Sequence, residues 1–137
     1  MDSRNKDRAS AVIIKGNSIL LIHRINDGRE YYILPGGGVE DGESIMEALS
    51  REIKEETGLN IEIDKKICEY NNNERNRIEH VFMINKFKGY LNLGGPEIER
   101  SSDDNIYNLE WHNIGNLKKI NFFPDQIINK IEEACRC

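Results

Sequence analysis

Apolar positions along this chain fall into short runs with two different periods. Residues 11–14 and 18–23 are apolar and rich in β-branched side chains, and Lys15-Gly16-Asn17 between them is a turn-forming interruption, so the pair predicts a hairpin. After the Asn26-Asp27-Gly28 loop, residues 31–34 predict a third strand that Pro35 stops. Gly36-Gly37-Gly38 and an acidic turn come next and predict a loop that must bend sharply or approach something closely. Ser44-Ile45-Met46-Glu47 fits a capping box, and Gly58 is placed to cap the other end, so a helix is expected over 44–57. Further strands are expected over 61–70, with Ile61, Ile63 and Ile67 at alternating positions, and over 78–87, with 90–93 pairing back across Lys88-Gly89. Residues 71–77 and the acidic stretch 94–105 predict polar loops, the second long enough to be functional. A strand around Trp111 (108–114) and an amphipathic helix (124–135) with Pro124 near its first turn close the chain. Strands outnumber helices, so the class is mixed α and β, a mixed sheet with helices on its faces.

The first helix has acidic residues on the wrong face. With Ile45 at zero and about 100° per residue, Ala48, Leu49 and Ile53 form with it an apolar stripe roughly 140° wide. Glu52 and Glu56 fall inside that stripe, Glu55 just beyond its edge, and Arg51 on the flank. Glutamate favours helices and charged helix faces are ordinarily solvated, which accounts fully for Glu47 and Lys54. It does not account for Glu52 and Glu56, since two like charges one turn apart on the inward side repel and lose hydration. Protonation, an arginine partner or a divalent cation would compensate. A cation satisfies most of the constraint, because carboxylate oxygens suit magnesium or manganese, and magnesium commonly joins one or two carboxylates to a substrate phosphate. The glycines that feed into this helix would let backbone groups approach the same ion and phosphates.

Composition narrows the partners. The chain has 137 residues, enough for one domain over 1–137, and a net charge of −5. That balance argues against sequence-independent binding to long nucleic acid and requires local cations around any small phosphorylated substrate. No apolar run is long enough to span a membrane. The polar first eight residues lack a signal-peptide core, and Cys68, Cys135 and Cys137 show no paired spacing, so a cytoplasmic location is expected. Cys135-x-Cys137 reads as incidental thiols on a terminal segment, and His23, His80 and His112 as strand residues without mutual ligand spacing.

Gly37, five residues, Glu43, seven residues, then Arg51-Glu52-Ile53-Lys54-Glu55-Glu56-Thr57-Gly58-Leu59 resembles the complete Nudix box. A match at a given start arises by chance with probability on the order of 10⁻⁹. The resemblance implies an α/β/α sandwich on a central mixed sheet and a hydrolase, metal-dependent and MutT-like, that cleaves a diphosphate linkage in a nucleoside diphosphate-X or a nucleoside triphosphate. It implies Mg2+ or Mn2+ held by Glu52, Glu55, Glu56 and the Gly36 carbonyl, with Glu52 or Glu55 as candidate base and Arg51 and Glu43 holding each other to orient the glutamates. Gly37 and Gly38 would line the phosphate site. Arg24 and Arg29, around the loop before the glycines, are candidates to reach phosphates, and Glu97, with Glu99 beside it, is the candidate from the later loop; all are ordinary surface residue types as well. Behind these stand Glu79, Asp103 and Asp104. Trp111 reads as core before it reads as a base-stacking ring. A small nucleotide-like substrate is the implied partner, and a homodimer is left open. The alternative is a catalytically silent module binding a nucleotide or ADP-ribose for regulation, which loss of a box glutamate would favour; none is lost. Isomerase chemistry on isoprenoid diphosphates needs a further cysteine, and the strand context of Cys68 does not single it out.

Overall fold

The computed structural model describes residues 7–73, 75–92 and 105–136. Nine strands and two α-helices are assigned among them: β1 (Asp7–Lys15), β2 (Ser18–Asn26), β3 (Arg29–Ile33), β4 (Gly36–Gly38), α1 (Ile45–Thr57), β5 (Asn60–Glu62), β6 (Lys65–Asn72), β7 (Arg77–Ile84), β8 (Lys86–Lys88), β9 (Asn105–Asn113) and α2 (Ile128–Cys135). The main sheet runs β3-β2-β1-β7-β6, with β4 paired to β1 and β9 to β2; β5 and β8 form a separate pair. It is a mixed sheet because β1 and β7 run parallel while the other pairings in it are antiparallel.

β1 is buried continuously from Ala9 to Ile13, the pattern of a central strand covered on both faces. Ala9, Ala11 and Ile13 join Leu20, Phe82 and Ile84 beneath Leu49 and Ile53 of α1. Val12, Ile19, Leu21, Val81 and Met83 pack on the other side against Ile128 and Ile131 of α2. Each fully buried leucine or isoleucine side chain contributes about 1.5–3 kcal/mol relative to exposure. This α/β/α layering is the expected fold class.

The hairpin and both helix ends are found as expected. Ser44 Oγ accepts from Glu47 N at 3.1 Å and Glu47 Oε1 accepts from Ser44 N at 2.8 Å, completing the capping box. Gly58, at φ 82°, closes the helix by donating its N–H to the Lys54 carbonyl.

Elsewhere the expected elements change. The glycine triplet is not a loop: Gly36, Gly37 and Gly38 pair with Ser10, Ala9 and Arg8 as strand β4. At Gly36 only backbone fits, because a Cβ there would stand 2.1 Å from the Ala9 carbonyl oxygen. The strand expected over 61–70 divides into β5 and β6, and β6 continues through Asn71 and Asn72 into the expected loop. The strand expected over 78–87 also divides, into β7 and β8; β8 pairs with β5, and residues 90–92, expected to pair back on that strand, carry no strand, with Tyr90 and Leu91 exposed. β9 begins earlier than expected, at Asn105, and the closing helix opens as a 3₁₀ turn, Asp125–Ile127, before α2. Residues 94–104 of the loop expected over 94–105, with Glu97, Glu99, Asp103 and Asp104, lie outside the described residues, as does Cys137. No helix among the described residues is long and apolar enough to cross a membrane.

Candidate active site

β4 and α1 bring the box residues together. Because β4 hydrogen-bonds to β1 and α1 packs across both, the inward glutamates of the helix meet the glycine backbone at close range. The Gly36 amide donates to Glu56 Oε1 at 2.6 Å, and Glu56 is only 7% exposed. The Glu52 carboxylate lies over the next residue, so close that a Cβ on Gly37 would stand 2.2 Å from its Cδ. Gly38 has open space where a Cβ would point. Glu55 is half exposed, as its place at the edge of the stripe implied.

Arg51 does not stay on the flank. Its long side chain folds over the helix end of the site, where Nη1 donates to Glu52 Oε2 at 2.9 Å and to Glu55 Oε1 at 3.2 Å. Nη2 donates to the Gly38 carbonyl at 3.1 Å. Nε and Nη2 also bond both oxygens of Glu43, at 2.6 and 3.0 Å, the two-pronged geometry that suits a guanidinium and a carboxylate. The Arg51 hydrogen bond, helped by the Glu40 amide, holds the Glu43 carboxyl down at about 2, and the same pair raises the Arg51 pKa above its ordinary value. The helical-wheel angle missed this reach because it places a Cβ and not the end of an arginine.

The charge on the inward face is therefore met in two ways: Arg51 faces Glu52 and Glu55, and a backbone N–H faces Glu56. Among the described residues, no three acidic, histidine or cysteine side chains converge closely enough to hold a metal by themselves. The donor set still fits magnesium or manganese. It offers hard carboxylate oxygens beside a backbone with no room for side chains, and magnesium takes one or two carboxylates and completes its shell with water and phosphate.

The remaining candidates lie elsewhere. Arg24, on β2, stacks on Tyr107 of β9 with its guanidinium carbon 3.7 Å from the ring centre, and it faces Tyr31 of β3 at 5.9 Å. Its Nη2 donates to Asn105 Oδ1 at 2.6 Å, while its buried Nε has no hydrogen-bond partner among the described residues. Arg29 is exposed and lies 5.8 Å from Tyr31. Trp111 packs beside Phe87 in the α1-side core.

Two groups escaped the sequence reading. Arg8 donates to the Gly36 carbonyl at 3.3 Å from a segment read only as polar; the alternation Arg8, Ser10, Val12 along β1 was the signal for its face. The histidines read as unrelated strand residues are in part linked: His23 Nδ1 and His112 Nε2 both contact Glu110, at 2.8 and 2.9 Å, and His23 Nε2 contacts Glu30 at 2.6 Å. Burial alone would lower the His23 pKa, but its bonds to Glu110 and Glu30 outweigh that and raise it. The registers of β9 and β3 on β2 bring Glu110 and Glu30 to His23, and only the Glu110–His112 contact, two positions apart on β9, lies within one strand.

Comparison with known proteins gives a consistent picture. The family model described as NUDIX domain matches residues 4–131. The chain is 37% identical over 118 residues to an ADP-ribose pyrophosphatase of Methanocaldococcus jannaschii, covering 85% of this chain and 67% of that protein. It is 30% identical over 126 residues to a MutT-like protein of Streptomyces ambofaciens, covering 92% of this chain and 68% of that one. In a longer relative the share falls to 34%. Among solved structures, the MutT NUDIX hydrolase from Burkholderia pseudomallei superposes with a TM-score of 0.73 at 25% identity, over 93% of this chain and 96% of that chain.

Proposed function

From the premise that the chain belongs to the Nudix family and is a hydrolase acting on acid anhydrides in phosphorus-containing compounds, we propose that it uses a divalent cation to cleave the diphosphate linkage of a nucleoside diphosphate-X or nucleoside triphosphate substrate. The observation that supports this most is the placement of the Glu52 and Glu56 carboxylates against the Gly36-Gly37 backbone, where a side chain would not fit.

In this reading Glu52 and Glu56 hold the ion, Glu55 stands next to them, and the Gly36 carbonyl has a second lone pair available beside its bond from Arg8. The bound cation, Mg2+ or Mn2+, neutralises phosphate oxygens and lowers the pKa of water. Arg51, gripped by Glu43, fixes the Glu52 and Glu55 carboxylates so that one of them accepts the proton of the attacking water. The Gly37 and Gly38 backbone gives the diphosphate close access. Arg24, held flat by Tyr107 with a buried Nε left over, contacts the substrate's negative charge, with Arg29 at the mouth of the same strand pair. Glu97, on the acidic stretch before β9, is the candidate for a further contact. The M. jannaschii relative puts ADP-ribose first in the trial panel.

The test is a panel of ADP-ribose, nucleotide sugars, dinucleoside polyphosphates and ordinary and oxidised nucleoside triphosphates, each with magnesium or manganese and with chelator. Metal-dependent release of a nucleoside monophosphate is the expected result. Tight nucleotide binding without turnover by any compound would overturn it in favour of a silent regulatory module.

A further inference from the structure

On the sheet face away from α1, Arg8 and Glu79 stand opposite each other in the parallel β1–β7 pairing. Ala9 points toward α1 while Val12 and Val81 point toward α2, so strand alternation places Arg8, Ser10 and Glu79 on the α2 side. Arg8 Nη1 donates to Ser10 Oγ at 3.0 Å and Glu79 Oε1 at 3.4 Å, while Nη2 donates to the Gly36 carbonyl at 3.3 Å. Glu79 is 3% exposed and also accepts from Asn72 Nδ2 at 3.2 Å, with Arg77 Nε 3.8 Å away. A carboxylate this deep is tolerated only when paired, so Glu79 in turn fixes where the Arg8 guanidinium stands.

Gly36 is thereby gripped from both sides of the sheet, its carbonyl by Arg8 and its amide by Glu56. It has no side chain to anchor it, and none would fit, so its orientation is set by those hydrogen bonds and by its pairing with Ser10. We infer that Arg8, braced by Glu79, is a positioning residue for the hydrolytic site: its bond to the Gly36 carbonyl holds the Gly36 backbone so that the amide keeps Glu56 in place for the cation it would hold. This rests on the reading of Glu56 as an ion-holding residue.

The variants are Arg8→Gln, Arg8→Lys and Glu79→Gln, and the readouts are amide hydrogen exchange of the metal-free protein, calorimetric Mn2+ uptake, and kcat and KM at saturating metal. In Arg8→Gln, exchange of the Gly36 amide should speed up roughly tenfold, the size expected for losing a bond to a charged group, while the Val12 and Ile53 amides keep their protection. Mn2+ affinity should fall by a similar factor with substrate KM unchanged. Glu79→Gln should move the same readouts in the same direction. Arg8→Lys should restore part of the effect, since it keeps the charge without the planar fork. An unchanged Gly36 amide, faster exchange across the whole sheet, or a raised KM with Gly36 unaffected would each overturn the assignment, the last by making Arg8 a substrate contact. If the wild-type protein takes up no Mn2+, the metal reading falls, and the Gly36 exchange alone decides the role of Arg8.

Discussion

Arg51 and Glu43, eight positions apart, meet through two hydrogen bonds of 2.6 and 3.0 Å, and the same guanidinium reaches Glu52 and Glu55. One side chain therefore ties the turn before α1 to two of its glutamates. Glu43→Gln should lower kcat by about 10–100-fold, the range for partners that orient catalytic ligands, with a smaller effect on substrate KM. Arg51→Lys should do at least as much, because an ammonium cannot make the paired bonds. Steady-state kinetics at saturating metal checks both.

The same pair sets an acid limit. Glu43 is held at about 2, below its ordinary 4.5, so its contribution to stability is present above pH 4.5 and is lost as the pH falls toward 2. Thermal melting between pH 5 and 2 should be flatter for Glu43→Gln than for wild type. Equal slopes would show that the bond carries no pH-linked stability.

Glu56→Gln should fold normally, since the amide oxygen of glutamine can still accept from Gly36, yet lose turnover by a factor on the order of 10³. Glu52→Gln should be severely impaired as well. Melting temperature and kcat measured together separate the two effects. Full activity of either variant at moderate magnesium would remove the assigned role.

The caps, the hairpin and the inward placement of Glu52 and Glu56 were legible because each depends on residues a few positions apart. Ser44 and Glu47 are three apart, and Gly58 follows directly on the helix it caps. What escaped depends on partners distant in sequence. The glycines become a strand only because β1 offers them its free edge, and Arg8 meets Glu79 across 71 positions. The strand expected over 61–70 breaks because its first part pairs with β8 and its second with β7, a division that apolar periodicity does not record.

Neighbouring glycines should respond in opposite ways. Gly37→Ala places a methyl group inside contact distance of the Glu52 carboxylate and pushes it aside, and a displacement of about 1 Å can cost about 10²-fold in rate. Gly38→Ala meets no protein atom, so Glu52 stays in place and any loss should appear in substrate KM while kcat stays close to wild type. Comparable losses in kcat for both would mean that the contact with Glu52 is not what the glycine protects.

His23 predicts a pH effect of the other sign. Its folded pKa is raised above 6.5, so the stability it contributes is complete below pH 6.5 and is lost as the pH climbs through the raised value. Melting temperature should fall over that interval in the wild type and change less in His23→Gln. An identical pH profile in the two proteins would show that the links to Glu30 and Glu110 do not govern it.

The parallel ladder between β1 and β7 joins residues 7–13 to residues 78–84, and the whole glutamate helix lies in the crossover between them. During synthesis β1 must therefore wait, without its parallel neighbour, until residues 78–84 have been made. Long-range pairings of this kind form slowly because the intervening loop must first be closed. The hydrolytic centre is in this sense a late product of folding, and a change near Arg8 acts on it in the last stage of its assembly.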